Sequence, residues 1–592
     1  MSDDPVITEN TPATSGVNDK GLLGLGVGGG SKNERLKASS DYLRGPIASD
    51  LADGTPRFSE DSVQLLKFHG SYQQEDRDKR LVIHKDGGAK AYQMMLRTRI
   101  PGGEMSAAQY LAHDAIADRY ASGTLRITTR QGIQLHGILK SNLRATIQDI
   151  NATLLTTLGA CGDVNRNVMA CPAPVTTRAQ AQVERVAHDI ATRLAPRSRA
   201  YADLWIDGEK LEAEEPETEP LYGPTYLPRK FKVGVAFPGD NCVDIYTQDI
   251  GLVAELNGAE LAGFTLLIGG GMGMTHGKTE THPRLALPFA FVTPAEALEV
   301  VETIVTIQRD YGDRQNRKHA RMKYLVEERG VDWFREETQR RLGRALAAPR
   351  PIAWEGVHDH LGWHKQDGEN WYLGLYIENG RIKDTAKVRL RSGLRAVIER
   401  FQPGVRLTGQ QNILLTDIPY TRRSAVQALL KEYGVAVTPQ RAGVRRFAMA
   451  CPALPTCGLA LAEAERALPD LVTAIEADLR ALGMRGEKLS VRMTGCPNGC
   501  ARPYMGDIGI VGRSKDLYNL YIGGDWANTR MNTLYADSVR IGDITATIHP
   551  LLALWRDERR PGETFGDYTN RVGVAALRAR VAAGETPVGA AG

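Results

Sequence analysis

With 592 residues, 42% of them hydrophobic and 24% charged, the chain has the composition of an ordinary globular protein with room for about three or four cores. Its formal net charge of +4 is too small to point to nucleic acid, and apolar runs such as Leu285 to Val292 are short and broken by proline, which argues against a membrane span. Seven cysteines, behind an acidic start (Met1-Ser-Asp-Asp4) without a secretory pattern, point to a soluble protein of the reducing cytoplasm.

Residues 1 to 35 are rich in Gly, Ser, Thr and Asn and read as a flexible segment. Gly24 to Gly29 formally satisfies G-x-G-x-x-G, but no strand precedes it, so a linker is the better reading. Next, the alternating Met95-Leu-Arg-Thr-Arg-Ile100 predicts a strand, and Ser106-Ala-Ala-Gln109 is a capping-box signature opening a helix to about Tyr120. Strands are predicted around 125–129 and 133–138, followed by a helix over 178–194. The acidic run Glu212 to Glu219, broken by prolines, reads as a solvated loop, Ala347 to Pro351 as a linker, and residues 581–592 as a flexible tail.

Beyond residue 355 the pattern repeats. Leu125-Arg-Ile-Thr-Thr-Arg-Gln-Gly-Ile-Gln-Leu135 aligns with Val405-Arg-Leu-Thr-Gly-Gln-Gln-Asn-Ile-Leu-Leu415, and Asn167 to Pro174 aligns with Phe447 to Leu454 at the same offset. Lys232-Val-Gly-Val-Ala matches Ser490-Val-Arg-Met-Thr, and Ile268-Gly-Gly matches Ile522-Gly-Gly. A duplicated α+β module is therefore expected, each copy opening on a β-α-β stretch.

The copies differ in their thiols. The second carries Cys451 and Cys457, spaced C-x5-C, and Cys496 and Cys500, spaced C-x3-C. The first keeps Cys171 opposite Cys451 but has Thr177 opposite Cys457 and no thiol pair opposite Cys496 and Cys500. Four thiolates are what an iron–sulfur cube requires. Zinc favours tighter knuckles, disulfides need an oxidising compartment, and ordinary buried thiols are the remaining alternative. Gly458 to Leu468 reads as a helix, with 470–482 a second, so Cys457 is expected at a helix N-terminus; Cys496 is expected in a tight Pro/Gly turn. Cys161 and Cys242 have no partner at useful spacing and read as buried thiols.

The cysteine pairs, with Thr494-Gly-Cys-Pro-Asn-Gly-Cys500 and the continuation Asp507-Ile-Gly-Ile-Val-Gly-Arg513, closely resemble the sulfite and nitrite reductases that couple a [4Fe-4S] cluster to a sirohaem. The resemblance extends from about Asp41 to Val572. It implies a cluster on Cys451, Cys457, Cys496 and Cys500, with Cys500 also the axial ligand of the sirohaem iron. It implies Arg97, Arg166, Lys230 and Lys232 around the substrate, and Arg126, Arg130, Gln134, His136, Gln410, Gln411 and Asn412 along the sirohaem. For His136 on its own, a hydrogen-bonded core histidine is the competing reading. Asn498 is expected to donate to a cluster sulfur.

The fold implied is α+β: ferredoxin-like half-domains at 36–160 and 355–435, a first-copy domain at 161–354, and a cluster-holding second-copy domain at 436–580. The activity implied is the six-electron reduction of sulfite to sulfide, with nitrite reduction as the alternative; Lys232, where nitrite-reducing members tend to carry Asn, favours sulfite. No flavin or NADPH domain is recognisable, so electrons are expected from a partner, either an NADPH-dependent flavoprotein or ferredoxin. Cys161, within Gly-Ala-Cys-Gly-Asp, resembles members that use ferredoxin. A protein whose cluster or zinc is purely structural is the reading of a different class.

Overall fold

The capping box forms as expected. The Ser106 hydroxyl accepts from Gln109 N at 3.1 Å while the Gln109 side chain accepts from Ser106 N at 2.9 Å, which starts the helix Ala107–Tyr120. The computed structural model describes residues 30–85, 87–174, 177–198, 205–206, 209–210, 218–437 and 441–584. The glycine motif at 24–29, most of the acidic run and the end of the tail lie outside these.

Duplication is visible strand by strand. One five-stranded sheet orders Ser71–Glu75, Tyr92–Arg97, Ile133–Ile138, Leu125–Ile127 and Arg381–Ile382; its counterpart orders Gly362–Lys365, Asn370–Leu375, Ile413–Pro419, Gly404–Leu407 and Glu104–Met105. The last strand of each comes from the other copy: Arg381 pairs with Arg126, and Glu104 with Arg406. The half-sheets therefore share one core, in which Leu96, Ile127 and Leu135 pack with Leu373, Leu407 and Ile413.

The turns at the exchange are built alike. Gln131 and Gln411 both have positive φ, 52° and 68°, and each spends its amide on backbone: Gln131 donates to Ala170 O and accepts from Ala170 N, while Gln411 donates to Asn379 O and accepts from Ala450 N.

Two larger sheets follow the same plan. Met169–Ala170, Val233–Ala236, Ile250–Asn257, Glu260–Ile268 and Leu287–Val292 pair parallel, parallel, antiparallel, antiparallel. So do Met449–Ala450, Val491–Thr494, Ile508–Ser514, Leu517–Ile522 and Thr533–Arg540. Helices cover them: Arg178–Arg193, Ala297–Tyr311 and Met322–Leu342 on the first, Leu468–Ala481 and Ile544–Glu558 on the second. Among the described residues no helix is long and apolar enough to cross a membrane.

Three expectations are corrected. Residues 30–35 are not a flexible lead, because Lys32–Ala38 is a helix whose Glu34 and Lys37 are buried at 2.5 Å from each other and paired with Arg314 and Asp163. Glu219, assigned to the solvated acidic run, is buried and accepts from Arg197 N and Ser198 N. Residues 458–467 form turns, with helix only from Leu468. Leu461 N and Ala462 N both donate to Gly495 O instead of to a helical ladder, and Glu465 is drawn to Arg126 and Arg381.

The copies are joined by a buried carboxylate. Asp244 accepts from Arg492 at 2.8 Å, from Arg502, and from Asn528 at 2.6 Å, all second-copy residues. Asp244→Asn leaves two buried arginines without their counter-charge and should lower stability by roughly 3–5 kcal/mol. Asp537→Asn, which breaks an exposed pair with Arg513, should leave the unfolding temperature unchanged. Calorimetric midpoints that fall together in the two variants would refute this ranking.

Candidate functional site

Backbone bonds between loops bring the second-copy thiols to one place. Cys451 follows the strand Met449–Ala450, and its sulfur accepts from Gly495 N at 3.4 Å. Cys457 N donates to Ala453 O at 2.9 Å, and the turn after it closes on Gly495 as above. Arg77 donates to the carbonyls of Cys457 and Ala460 at 3.3 and 2.7 Å, clamping that turn from the first copy. The Asn498 amide donates to Cys496 Sγ at 3.4 Å, and Gly499, at φ 62°, makes the turn to Cys500.

Burial raises the Cys451, Cys457 and Cys496 thiols, and the Cys500 sulfur pushes each up further, so all four lie within mutual electrostatic reach. Cys500 is the exposed member. Its carbonyl accepts from the Thr129 hydroxyl at 2.9 Å, which seats it against the first copy.

The predicted substrate cations face this corner. Arg97 ends the strand Tyr92–Arg97 and donates to Cys161 Sγ at 2.9 Å. Burial works against its charge, but Cys161, Tyr72, Cys500 and Cys457 more than offset it and raise its pKa. Arg166 N donates to Phe231 O and Phe231 N to Val164 O, a parallel bridge that sets Arg166 beside Lys230 and Lys232. Arg166 is held by Gly162 O at 2.9 Å and Ala160 O at 3.4 Å.

Both lysines are pushed well below the usual lysine range, first by burial. Arg229, Arg321 and Arg166 then act on Lys230, while Cys500 opposes the shift; Arg130 and Lys230 act on Lys232. The carboxylate facing Lys232, Asp249, is already held by Arg321 at 2.9 Å. The corner is an excess of positive charge, buried at Arg166 and Arg321 and partly buried at both lysines, which an anion would relieve.

The expected sirohaem-lining residues divide into three kinds. Arg126 is fully engaged by Glu465 at 2.8 Å, Ala450 O at 2.8 Å and Gln134 at 3.3 Å; Arg130 by Asn167 O at 3.0 Å and Gln248. Gln411 is occupied with the turn described above and has no free amide to offer. Atoms with unmet capacity form the third kind: His136 Nδ1 and Nε2, Gln410 Oε1 and Asn412 Nδ2 are buried without a hydrogen-bond partner, as is Nε of Arg97 in the substrate set.

For His136 this corrects the reading as a hydrogen-bonded core histidine. Burial, with Arg381 and Arg126, depresses its pKa, so the ring is neutral, with one donor and one acceptor unmet. Orphaned polar atoms beside buried cations fit a polycarboxylate ring better than an apolar core.

Several residues had no legible signal. Arg77 and Arg381 sit in ordinary surface-like contexts, and Glu465 lay inside a segment predicted as helix. Burial opposes the Glu465 charge, but Arg126 and Arg381 hold it down to about 2. Cys161, expected to be a plain buried thiol, contacts Arg97.

Against known proteins, the family model for the nitrite and sulphite reductase 4Fe-4S domain matches residues 186–346 and 443–587, and that for the nitrite/sulfite reductase ferredoxin-like half domain matches 87–153 and 364–433. The NADPH sulfite reductase hemoprotein beta-component of Staphylococcus saprophyticus is 45% identical over 91% of this chain and 95% of its own. That of Methylobacterium nodulans is 48% identical over 92% and 91%. The ferredoxin sulfite reductase of Synechococcus elongatus is 47% identical over 93% and 90%. Among solved structures, the Mycobacterium tuberculosis NirA protein superposes with a TM-score of 0.76, covering 92% of this chain and 97% of its own; at 24% identity this shows the fold.

Replacing Cys451, Cys457 or Cys496 by Ala should each abolish acid-labile sulfide, about four per chain in the parent protein, whereas Cys161→Ser should leave it intact. Labile sulfide retained in any of the three alanine variants would remove that cysteine from the ligand set.

Proposed function

The chain belongs to the nitrite and sulphite reductase family, and from that membership we propose that it reduces sulfite to sulfide with six electrons, at a sirohaem joined through Cys500 to a [4Fe-4S] cluster on Cys451, Cys457, Cys496 and Cys500. The observation that carries this reading is the set Arg97, Arg166, Lys230 and Lys232: Arg166 is buried and the other three partly so, Arg97 and Lys230 feel the Cys500 sulfur, and Asp249, the carboxylate acting on Lys232, is already paired with Arg321. The relatives' names support sulfite as the substrate. So does Lys232, in the position where Asn goes with nitrite reduction.

When bound, the sirohaem supplies the iron at which sulfur is reduced, and the cluster supplies it with electrons. The chain's own residues do the rest. Arg166, fixed by two carbonyls, presents its remaining donors as a planar fork suited to two sulfite oxygens. Arg97, a permanent cation, is positioned by its contact with Cys161.

Each sulfite oxygen leaves as water and needs protons delivered where bulk water is excluded. Lys230 and Lys232, with pKa lowered first by burial, part with a proton more readily than a surface lysine and still bind an anion while charged. His136, Gln410 and Asn412 have unmet polar atoms with which to meet the ring's carboxylates, and Asn498 already donates to Cys496.

The domain partition we propose pairs 36–160 with 355–435 as half-domains, with 161–354 supplying the cations and 436–580 the thiols. An external NADPH-dependent flavoprotein or ferredoxin delivers the electrons; NADPH and ferredoxin both occur in the relatives' names. The cytoplasm, which keeps the thiols reduced, is the proposed location.

Lys232→Asn should lower sulfite turnover by about 100-fold and nitrite turnover by much less, measured with a reduced viologen as electron donor. Equal losses would sink the substrate assignment. Because both lysines titrate below their ordinary value of about 10.4, kcat/KM for sulfite should fall on the alkaline side before that pH as the ammonium charge is lost. In Lys230→Arg this limb should move upward; a limb that stays put would take Lys230 out of the titrating set.

A further inference from the structure

The first copy carries thiols of its own at positions that correspond to the cluster ligands. Val233–Ala236 and Val491–Thr494, the short helices Ile245–Thr247 and Pro503–Met505, and the starts of the strands at Ile250 and Ile508 all lie 258 residues apart. In this register Cys242 stands opposite Cys500, Asp240 opposite Asn498 and Pro238 opposite Cys496, while Cys171 stands opposite Cys451. Cys242 is therefore not without a partner, as its spacing in the chain suggested.

The fold gathers Cys171 and Cys242 with two further donors. One ligand atom each from Cys171, Asp240, Cys242 and His360 lies within 4.8 Å of every other. Asp240 Oδ2 is 3.7 Å from Cys171 Sγ and 3.0 Å from His360 Nε2. In a tetrahedral zinc site, with Zn–S of about 2.3 Å and Zn–N or Zn–O of about 2.0–2.2 Å, neighbouring ligand atoms lie roughly 3.3–3.8 Å apart. The measured separations bracket that range, so a central ion needs only a small adjustment.

The ligands are also fixed from behind. Asp240 Oδ1 accepts from His358 N at 3.1 Å, which orients the carboxylate. Gly239–Asp240 pairs with Trp354–Gly356, and Asn241 N donates to Gly356 O at 2.9 Å. His360 sits at φ 55°, a left-handed conformation that turns the chain at this point. Cys242 and Asp240 are 3% and 6% exposed, the His360 side chain 9%, and Cys171 is partly buried, so four ligands leave little room for a substrate. Two thiols cannot hold a cubane, which needs four thiolates.

We propose that Cys171, Cys242, His360 and Asp240 form a closed, mononuclear site for a divalent cation of the zinc type, at the first-copy counterpart of the cluster position. The ion ties the first-copy loop 239–242 to the segment 354–360 that leads into the second half-domain. It takes no part in electron transfer, and the site stands whether or not sulfite is the substrate.

Elemental analysis of the purified holoenzyme tests this. About one zinc per chain should accompany the iron, and both Cys242→Ala and His360→Ala should lose it while keeping iron, labile sulfide and the haem absorption. X-ray absorption at the zinc edge of the parent protein needs no variant: two sulfurs at about 2.3 Å and two nitrogen or oxygen neighbours at about 2.0 Å are expected. No zinc after exposure to micromolar zinc and buffer exchange, a shell without sulfur, or a Cys171–Cys242 disulfide in a non-reducing peptide map would each overturn the proposal.

Discussion

Asp244 and Arg502 occupy the same position in the two copies, 258 residues apart, and they pair with each other. Both sit in left-handed backbone, at φ 48° and 53°, and both are buried. A duplicated position has thus become a cation on one side and an anion on the other, so the pair forms across the pseudo-twofold and in only one arrangement of the copies. Arg502 also donates to Thr129 O and Gly409 O, tying the pair to both exchanged turns. Burying such charges is expensive in desolvation, and only complete hydrogen bonding recovers it. Cys500 lies two residues before Arg502 and Cys242 two before Asp244, so this clamp places a thiol on each side of the axis.

From that constraint follows the division of labour between the copies. The second copy contributes the four thiols and, through Gly495 N and Asn498, donors to two of them, Cys451 and Cys496. The first contributes Arg97, Arg166, Lys230 and Lys232 from three separate elements. The exchange of Glu104–Met105 and Arg381–Ile382 means that neither half-sheet is complete alone, and the cations and thiols keep their register because the shared core leaves no freedom to slide.

Much of this was legible in the chain because duplication writes a pattern twice. The turn residues of 125–135 and 405–415 and the capping box at Ser106 are local and appear where expected, whereas Cys457, expected at a helix N-terminus, precedes a run of turns. What could not be read was decided by partners distant in sequence. The segment 458–467 has helical composition, yet its N–H groups go to Gly495 and Glu465 goes to two arginines, and tertiary bonds outweigh propensities of a few tenths of a kcal/mol per residue. Glu34 looked like part of a soft lead until Arg314, far along the chain, supplied its partner. Cys242 read as solitary for the same reason, since His360 comes to it through the pairing of Gly239–Asp240 with Trp354–Gly356, more than 100 residues along the chain.

The charge distribution carries a final consequence. A protein that gathers Lys230, Lys232, Arg130 and Arg166 at a partly buried corner, with Asp249 already engaged by Arg321, stores unfavourable electrostatic energy as long as no anion lies among them. The lowered lysine pKa values are one symptom; the unmet polar atoms of His136, Asn412 and Gln410 are another. A polycarboxylate cofactor and an anionic substrate relieve both at once, and any ligand that binds the folded chain alone stabilises it. Affinity and strain are in this sense the same quantity, because the cations are held in place by the Asp244 clamp and the exchanged strands whether or not the anion is present. This preorganisation is what a site needs to stabilise charge that develops during reaction.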